Sequence, residues 1–124
     1  MPEIVQQAKS GIPFCKAEEA VIGANHQEIG VALTEKWKFP RSFQFVSGYH
    51  HAPEELAKEN RLLSVVTHIS DVICARQGIG LKITADTETP KPELLDEIGL
   101  SFDQLEQISN NIDDELETVR ALIE

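Results

Sequence analysis

Apolar side chains recur at steps of three and four along most of this chain, and that regularity confines it to helices. The pattern is clearest near the C-terminus, where Phe102, Leu105, Ile108, Ile112, Leu116, Val119 and Ile123 form one stripe of a 3.6-residue helix. Ser101 and Gln104 are spaced as a capping box at its start, so a helix is predicted over residues 101–124. No stretch alternates convincingly as a strand would.

The same signals divide the rest of the chain. Pro2 at a helix-opening position and Ser10-Gly11 beyond its end predict a helix over residues 2–9. Residues 13–22 form a second short helix, broken near Gly23. Asn25 with Glu28 makes a capping pair for a third, which runs to about Lys38 and stops before Pro40. Ile29, Leu33 and Trp37 share one face with His26 and Gly30. That face is predicted to point inward, with the glycine admitting another element. Residues 41–49 read as a short helix or turn. The longest helix is predicted over residues 53–77, with Glu54 and Glu55 near its positive end and an apolar stripe of Leu62, Val65, Val66, Ile69, Val72 and Ile73. Residues 79–90 read as a loop, a short strand at 81–83 being the alternative. A short helix over residues 92–98 is closed by Gly99.

At 124 residues the chain is one domain or a piece of one. Acids outnumber Lys and Arg by 21 to 11, a net charge of −10 that repels phosphate backbones and anionic lipid. No apolar run approaches the roughly 20 residues a spanning helix needs, and the N-terminus lacks the build of a secretory signal. Cys15 and Cys74 are isolated and read as two buried thiols of a reducing, cytoplasmic compartment.

The chemical potential is concentrated in four histidines, His26, His50, His51 and His68. Neutral imidazole is the commonest nitrogen ligand for transition metals. The adjacent rings of His50 and His51 can face different ways and serve two metals, or one metal and a substrate phosphate. Asp71 on the following helix can close the shell, and two metals about 3.5–4 Å apart suit hydrolysis of a phosphoester. Each residue also has a plainer reading. His26 on an apolar face fits a hydrogen-bonded core histidine, and His50-His51 fits a polar connection between helices. Asp71 lies opposite the centre of its helix's stripe, as a solvated aspartate would; as a ligand it requires that helix to be packed on more than one side.

The string from Glu19 through Gly23, His26 and Gly30, continuing to Leu33, Trp37 and Pro40, resembles the middle of HDOD domains. That family's pattern is a Glu, then Gly-x-x-His-x-x-x-Gly, then a helix ending in Trp-x-x-Pro. The resemblance continues through His50-His51-x-Pro, like the family's paired histidines. It reaches His68-Ile69-Ser70-Asp71, similar to the family's His-x-Ala-Asp with Ser70 in place of Ala. Residues 79–100 carry least of it. The resemblance implies an all-α fold, a partial HD-superfamily bundle of about six or seven helices, with residues 1–124 as a single domain portion.

In the catalytic HD superfamily, HD-GYP phosphodiesterases included, metal is held by an early His, a His-Asp dipeptide, later histidines and a final Asp. Carried over by motif position, the metal ligands are His26, His50, His51 and Asp71, with His68 a structural neighbour; no catalytic residue is assigned. The ion implied is a divalent metal (Fe, Mn, Zn, Ni or Mg), the alternative being none. This sequence has no His-Asp dipeptide and no Gly-Tyr-Pro extension after His50-His51. The family's dipeptide lies upstream of the segment resembling Met1 to Gly11, so the chain reads as the C-terminal part of such a domain. HDOD domains commonly lack a complete catalytic set and act as regulatory modules in bacterial signalling. The expected function is therefore a non-catalytic signal-transduction module. The alternatives are a metal-dependent phosphohydrolase or phosphodiesterase completed by segments outside this chain, and a helical interaction scaffold. The expected partner is a second copy or another signalling protein, not nucleic acid or a membrane. His26, His50 and Asp71 are predicted to converge in space.

Overall fold

The computed structural model describes residues 1–80 and 89–123. The fold is all-α. Among the described residues the α-helices are α1 (Pro2–Lys9), α2 (Phe14–Ile22), α3 (His26–Lys36), α4 (Arg41–Tyr49), α5 (Leu62–Arg76), α6 (Pro92–Glu97) and α7 (Phe102–Ile123). They fall into two compact units, Met1–Pro90 and Lys91–Glu124. The loop-or-strand alternative at 81–83 lies outside the described residues.

In the first unit α1 packs on α2 through Ile4, Phe14 and Ala17, with Ala8 and Val21 around them. Gly23, at φ +82°, ends α2 in the left-handed region that glycine enters without strain. Asn25 then opens α3. Its Oδ1 accepts from the Glu28 N–H at 3.0 Å, and its own N–H donates to Glu28 Oε2 at 3.0 Å, the reciprocal capping box the sequence predicts. At the other end Phe39 N–H reaches Thr34 O at 2.9 Å and Lys38 N–H reaches Glu35 O at 3.0 Å. This is a Schellman turn with lysine, at φ +56°, where glycine is usual.

Helices α3 and α4 approach closely at two glycines. A Cβ on Gly30 would stand 3.1 Å from Ser47 Cβ, and one on Gly48 would stand 2.8 Å from Val31 Cγ2. Gln27 Nε2 donates to the Gly48 carbonyl at 2.8 Å, fixing the register of the pair. The expected role of Gly30 is therefore met by Ser47 of α4.

Two expectations are corrected here. The helix predicted over residues 53–77 is not continuous and is not the longest; α7, with 22 residues, is. Pro53–Glu55 and Lys58–Asn60 are 3₁₀ turns, separated by extended backbone at Leu56 and Ala57, and α5 begins at Leu62. Burial of the Pro53 and Leu56 side chains holds the break open. The Arg61 guanidinium donates to the carbonyls of Glu54 at 3.4 Å and Leu56 at 3.3 Å, oxygens that a continuous helix would have bonded itself.

The second correction concerns the face of α3. Ile29, Leu33 and Trp37 are exposed, Trp37 by 63%. Trp37 stacks edge-on to Phe39, which lies against Phe43. The inward face of α3 is instead the one carrying His26, Gln27, Gly30 and Val31. On α5 the predicted stripe divides: Val65, Ile69, Val72 and Ile73 are buried, whereas Leu62 and Val66 are exposed.

In the second unit Gly99 follows α6, and α7 opens on its predicted capping box: Ser101 N–H donates to Gln104 Oε1 at 2.9 Å, and Gln104 N–H to Ser101 Oγ at 3.2 Å. Leu94, Leu95, Leu105 and Ser109 are its buried side chains. No described helix is long and apolar enough to cross a membrane.

Candidate metal centre

His26 is the first residue of α3, set by the capping box beside it. Its backbone N–H and its ring Nδ1–H both donate to Oε2 of Glu18, at 3.0 and 2.6 Å. Glu18 is 8% exposed on α2 and so satisfies an otherwise orphaned N–H of the α3 first turn while fixing the ring. A carboxylate behind a histidine in this way orients the imidazole and raises its basicity toward a metal.

His50 follows the last residue of α4, and its Nδ1–H donates to the Val46 carbonyl at 3.0 Å. Its backbone carbonyl in turn accepts from His68 Nδ1–H at 2.9 Å. His68, 6% exposed on α5, thus supports the backbone that carries His50, in keeping with a structural role. Burial, and then the adjacent His51, push the His50 pKa below its ordinary value; the Val46 carbonyl and Asp71 act in the opposite direction.

The far nitrogens converge. His26 Nε2 lies 3.1 Å from His50 Nε2 and 3.1 Å from His51 Nε2, with ring centroids 5.1 and 5.0 Å apart. Because Nδ1–H is committed on both His26 and His50, each neutral ring directs a lone pair from Nε2 at the other. A cation among the nitrogens relieves both. Metal–nitrogen bonds of about 2.0–2.1 Å place neighbouring ligands close to the observed spacing, so the donor set fits a divalent ion held by these imidazoles.

Asp71 shares a cavity of about 440 Å³ with His26, His50 and His51; α5 also contributes Thr67, Ser70 and Cys74 to its lining. Residues 67, 70, 71 and 74 are one helical face, distinct from Val65, Val72 and Ile73. Helix α5 is therefore used on more than one side, which removes the difficulty of the wheel position. All four residues expected from motif position, His26, His50, His51 and Asp71, lie around one cavity.

Two residues of the site escape sequence reasoning. Glu18 holds His26, whereas the neighbouring Glu19 reaches Asn25 Nδ2 at 2.7 Å and Lys16 Nζ at 2.7 Å. An acid flanked by Phe14, Ala17 and Val21 on an apolar face was the available signal. Cys15 is the other: it and Cys74 are partly exposed rather than buried, and ligand atoms of Cys15, His26 and His51 all lie within 4.8 Å of one another.

The family model of the HDOD domain matches residues 1–53. Those residues are an HDOD segment. No curated protein and no solved structure matches the chain. The HDOD segment holds Glu18, His26, His50 and His51, whereas His68, Asp71 and Cys74 follow it on α5. The site is thus built from the segment that matches the HDOD domain and the helix that comes after it.

Proposed function

We propose that this chain is a regulatory signal-transduction module of the HDOD kind, in which the histidine cluster holds one divalent ion and turns over no phosphoester. The observation that carries this reading is the convergence of His26 Nε2 on His50 Nε2 and His51 Nε2, at 3.1 Å each, while Nδ1 of His26 meets Glu18 and Nδ1 of His50 meets the Val46 carbonyl. His26, His50 and His51 would hold the ion, with Asp71 across the cavity. A bound ion supplies the positive charge these nitrogens call for and Lewis acidity toward an oxygen ligand.

Dinuclear phosphoester hydrolysis uses a bridging carboxylate to set the spacing of two ions. Glu18 meets the cluster at Nδ1 of His26, on the other side of the ring from the converging nitrogens. The sequence contains no His-Asp dipeptide. These features favour binding over turnover. The runner-up is a metal-dependent phosphohydrolase completed by protein outside this chain, and the place of Asp71 on the cavity wall favours it.

Elemental analysis of the purified protein, with a phosphodiesterase assay on a generic aryl phosphodiester, tests the reading. One equivalent of divalent metal without turnover is expected. Metal-dependent turnover abolished by His50→Ala would overturn the regulatory reading in favour of the hydrolase.

A regulatory module needs a surface on which to act. The exposed Trp37, Phe39 and Phe43, with Ile29 and Leu33, are read as the contact surface for a second copy or another signalling protein, since contiguous exposed apolar area marks interfaces. Sedimentation equilibrium at micromolar concentration is expected to give a mass above 13.8 kDa that returns to the monomer value on Trp37→Glu. A wild-type chain that stays monomeric rejects the homodimer.

A further inference from the structure

We infer that Cys15 is a ligand of the same ion, making the centre a mixed thiolate–imidazole site for zinc-like metals in place of an all-imidazole and carboxylate one. This rests on the reading that the histidines hold metal. The geometry is a three-way convergence: the Cys15 sulfur and a ring nitrogen from each of His26 and His51 lie within 4.8 Å of one another. About 2.3 Å for zinc–sulfur and 2.0–2.1 Å for zinc–nitrogen let one ion reach all three with small side-chain rotations.

The three ligands come from three places: the second residue of α2, the first residue of α3, and the turn after α4. A thiolate at Cys15 sits in the first turn of α2, where the helix dipole favours negative charge. The Cys15 thiol contacts Gln27 Oε1 at 3.6 Å, and Gln27 is itself tied to Gly48 of α4. The sulfur therefore lies on the α3–α4 side of α2, facing the histidines. On binding, the thiol releases one proton and its sulfur lone pair goes to the metal, while the imidazoles bind neutral. Thiolate ligands select zinc and its borderline relatives over manganese and magnesium, which prefer carboxylate and water. An ion so held would also fasten the start of α2 to the end of α4, giving it a role in the fold as well as in sensing.

The test is a titration of the reduced, metal-stripped full chain with cobalt(II), followed by zinc. One equivalent of cobalt is expected to give a near-ultraviolet sulfur-to-cobalt charge-transfer band together with visible bands of a tetrahedral ion, all displaced by zinc. In Cys15→Ser, a nearly isosteric change checked for helix content by circular dichroism, the charge-transfer band is expected to vanish. Cobalt should still bind through the histidines, weakened at least as much as the ~10–100-fold that follows loss of an outer partner. Cys74→Ser, which removes the thiol that lines the cavity beside His26, His50 and His51, is expected to keep the band. Cobalt bound by wild type without the band overturns the cysteine ligand and leaves the histidine centre standing. A band that survives Cys15→Ser but is lost in Cys74→Ser assigns the thiolate to Cys74 and overturns the inference. No cobalt binding at all overturns both readings. Should Cys15→Ser not fold, the wild-type band together with its persistence in Cys74→Ser decides the question.

Discussion

Glu18 holds His26 at two points, its backbone N–H at 3.0 Å and its ring Nδ1 at 2.6 Å, through a single carboxylate oxygen. One side chain from α2 therefore sets both where α3 begins and which nitrogen of its first residue faces the cavity. Replacing Glu18 with Gln keeps the shape and removes the charge that anchors these bonds. Hydrogen bonds to charged groups contribute about 1.5–3 kcal/mol, so Glu18→Gln is expected to cost about 1–2 kcal/mol in urea unfolding. It should also weaken metal binding ~10–100-fold. A stability loss without change in metal affinity would reduce Glu18 to a purely structural residue.

The pH dependence of the metal-free chain follows from His50, whose pKa lies below the ordinary 6.5 because it is buried beside His51. Unfolded chains then bind a proton at His50 that the folded state resists, so folding stability rises with pH across that interval. The contribution is complete above about pH 6.5 and is lost as pH falls through the lower folded-state value. Urea midpoints measured from pH 8 to pH 5 are expected to drop more steeply in wild type than in His50→Asn. Parallel curves for the two proteins would contradict this.

Gly48 faces Val31 with room for no side chain, a Cβ there standing 2.8 Å from Val31 Cγ2. Alanine gains about 1 kcal/mol of helix propensity over glycine, but overpacking costs about 1–3 kcal/mol. Gly48→Ala is expected to destabilise by about 1 kcal/mol, and Gly30→Ala, with 3.1 Å to Ser47 Cβ, by less. Adding Val31→Ala to Gly48→Ala should recover part of the loss. A Gly48→Ala protein more stable than wild type would show that α3 and α4 shift apart freely.

Lys38 ends α3 at φ +56°, a conformation that costs a side chain with a Cβ roughly 1 kcal/mol. Lys38→Gly removes that strain but loosens the unfolded chain. The net gain expected is a few tenths to about 1 kcal/mol, read as a higher urea midpoint with unchanged slope. A lower midpoint would mean that the lysine stem contributes packing that outweighs the strain.

The sequence by itself determined what depends on neighbours along the chain. The capping boxes at Asn25–Glu28 and Ser101–Gln104, the glycine stops at Gly23 and Gly99, and the proline starts of α1 and α6 all act within one turn. Their partners are therefore visible in the order of residues. The close approach at Gly30 was legible from the helical face it shares with His26, and the grouping of His26, His50, His51 and Asp71 around one cavity from motif order, which carries tertiary information that periodicity lacks.

Tertiary structure alone decided the rest. Leu56 and Pro53 gain more by burial than residues 53–61 gain by staying helical, so a helix that the pattern allows is broken into 3₁₀ turns. Periodicity shows that Ile29, Leu33 and Trp37 share a face but not what covers it, and that face is exposed. Glu18 and Cys15 enter the site from α2 across a turn whose direction no local rule specifies. A side chain's chemistry depends on the atoms within a few ångströms of it, and those atoms come from distant parts of the chain.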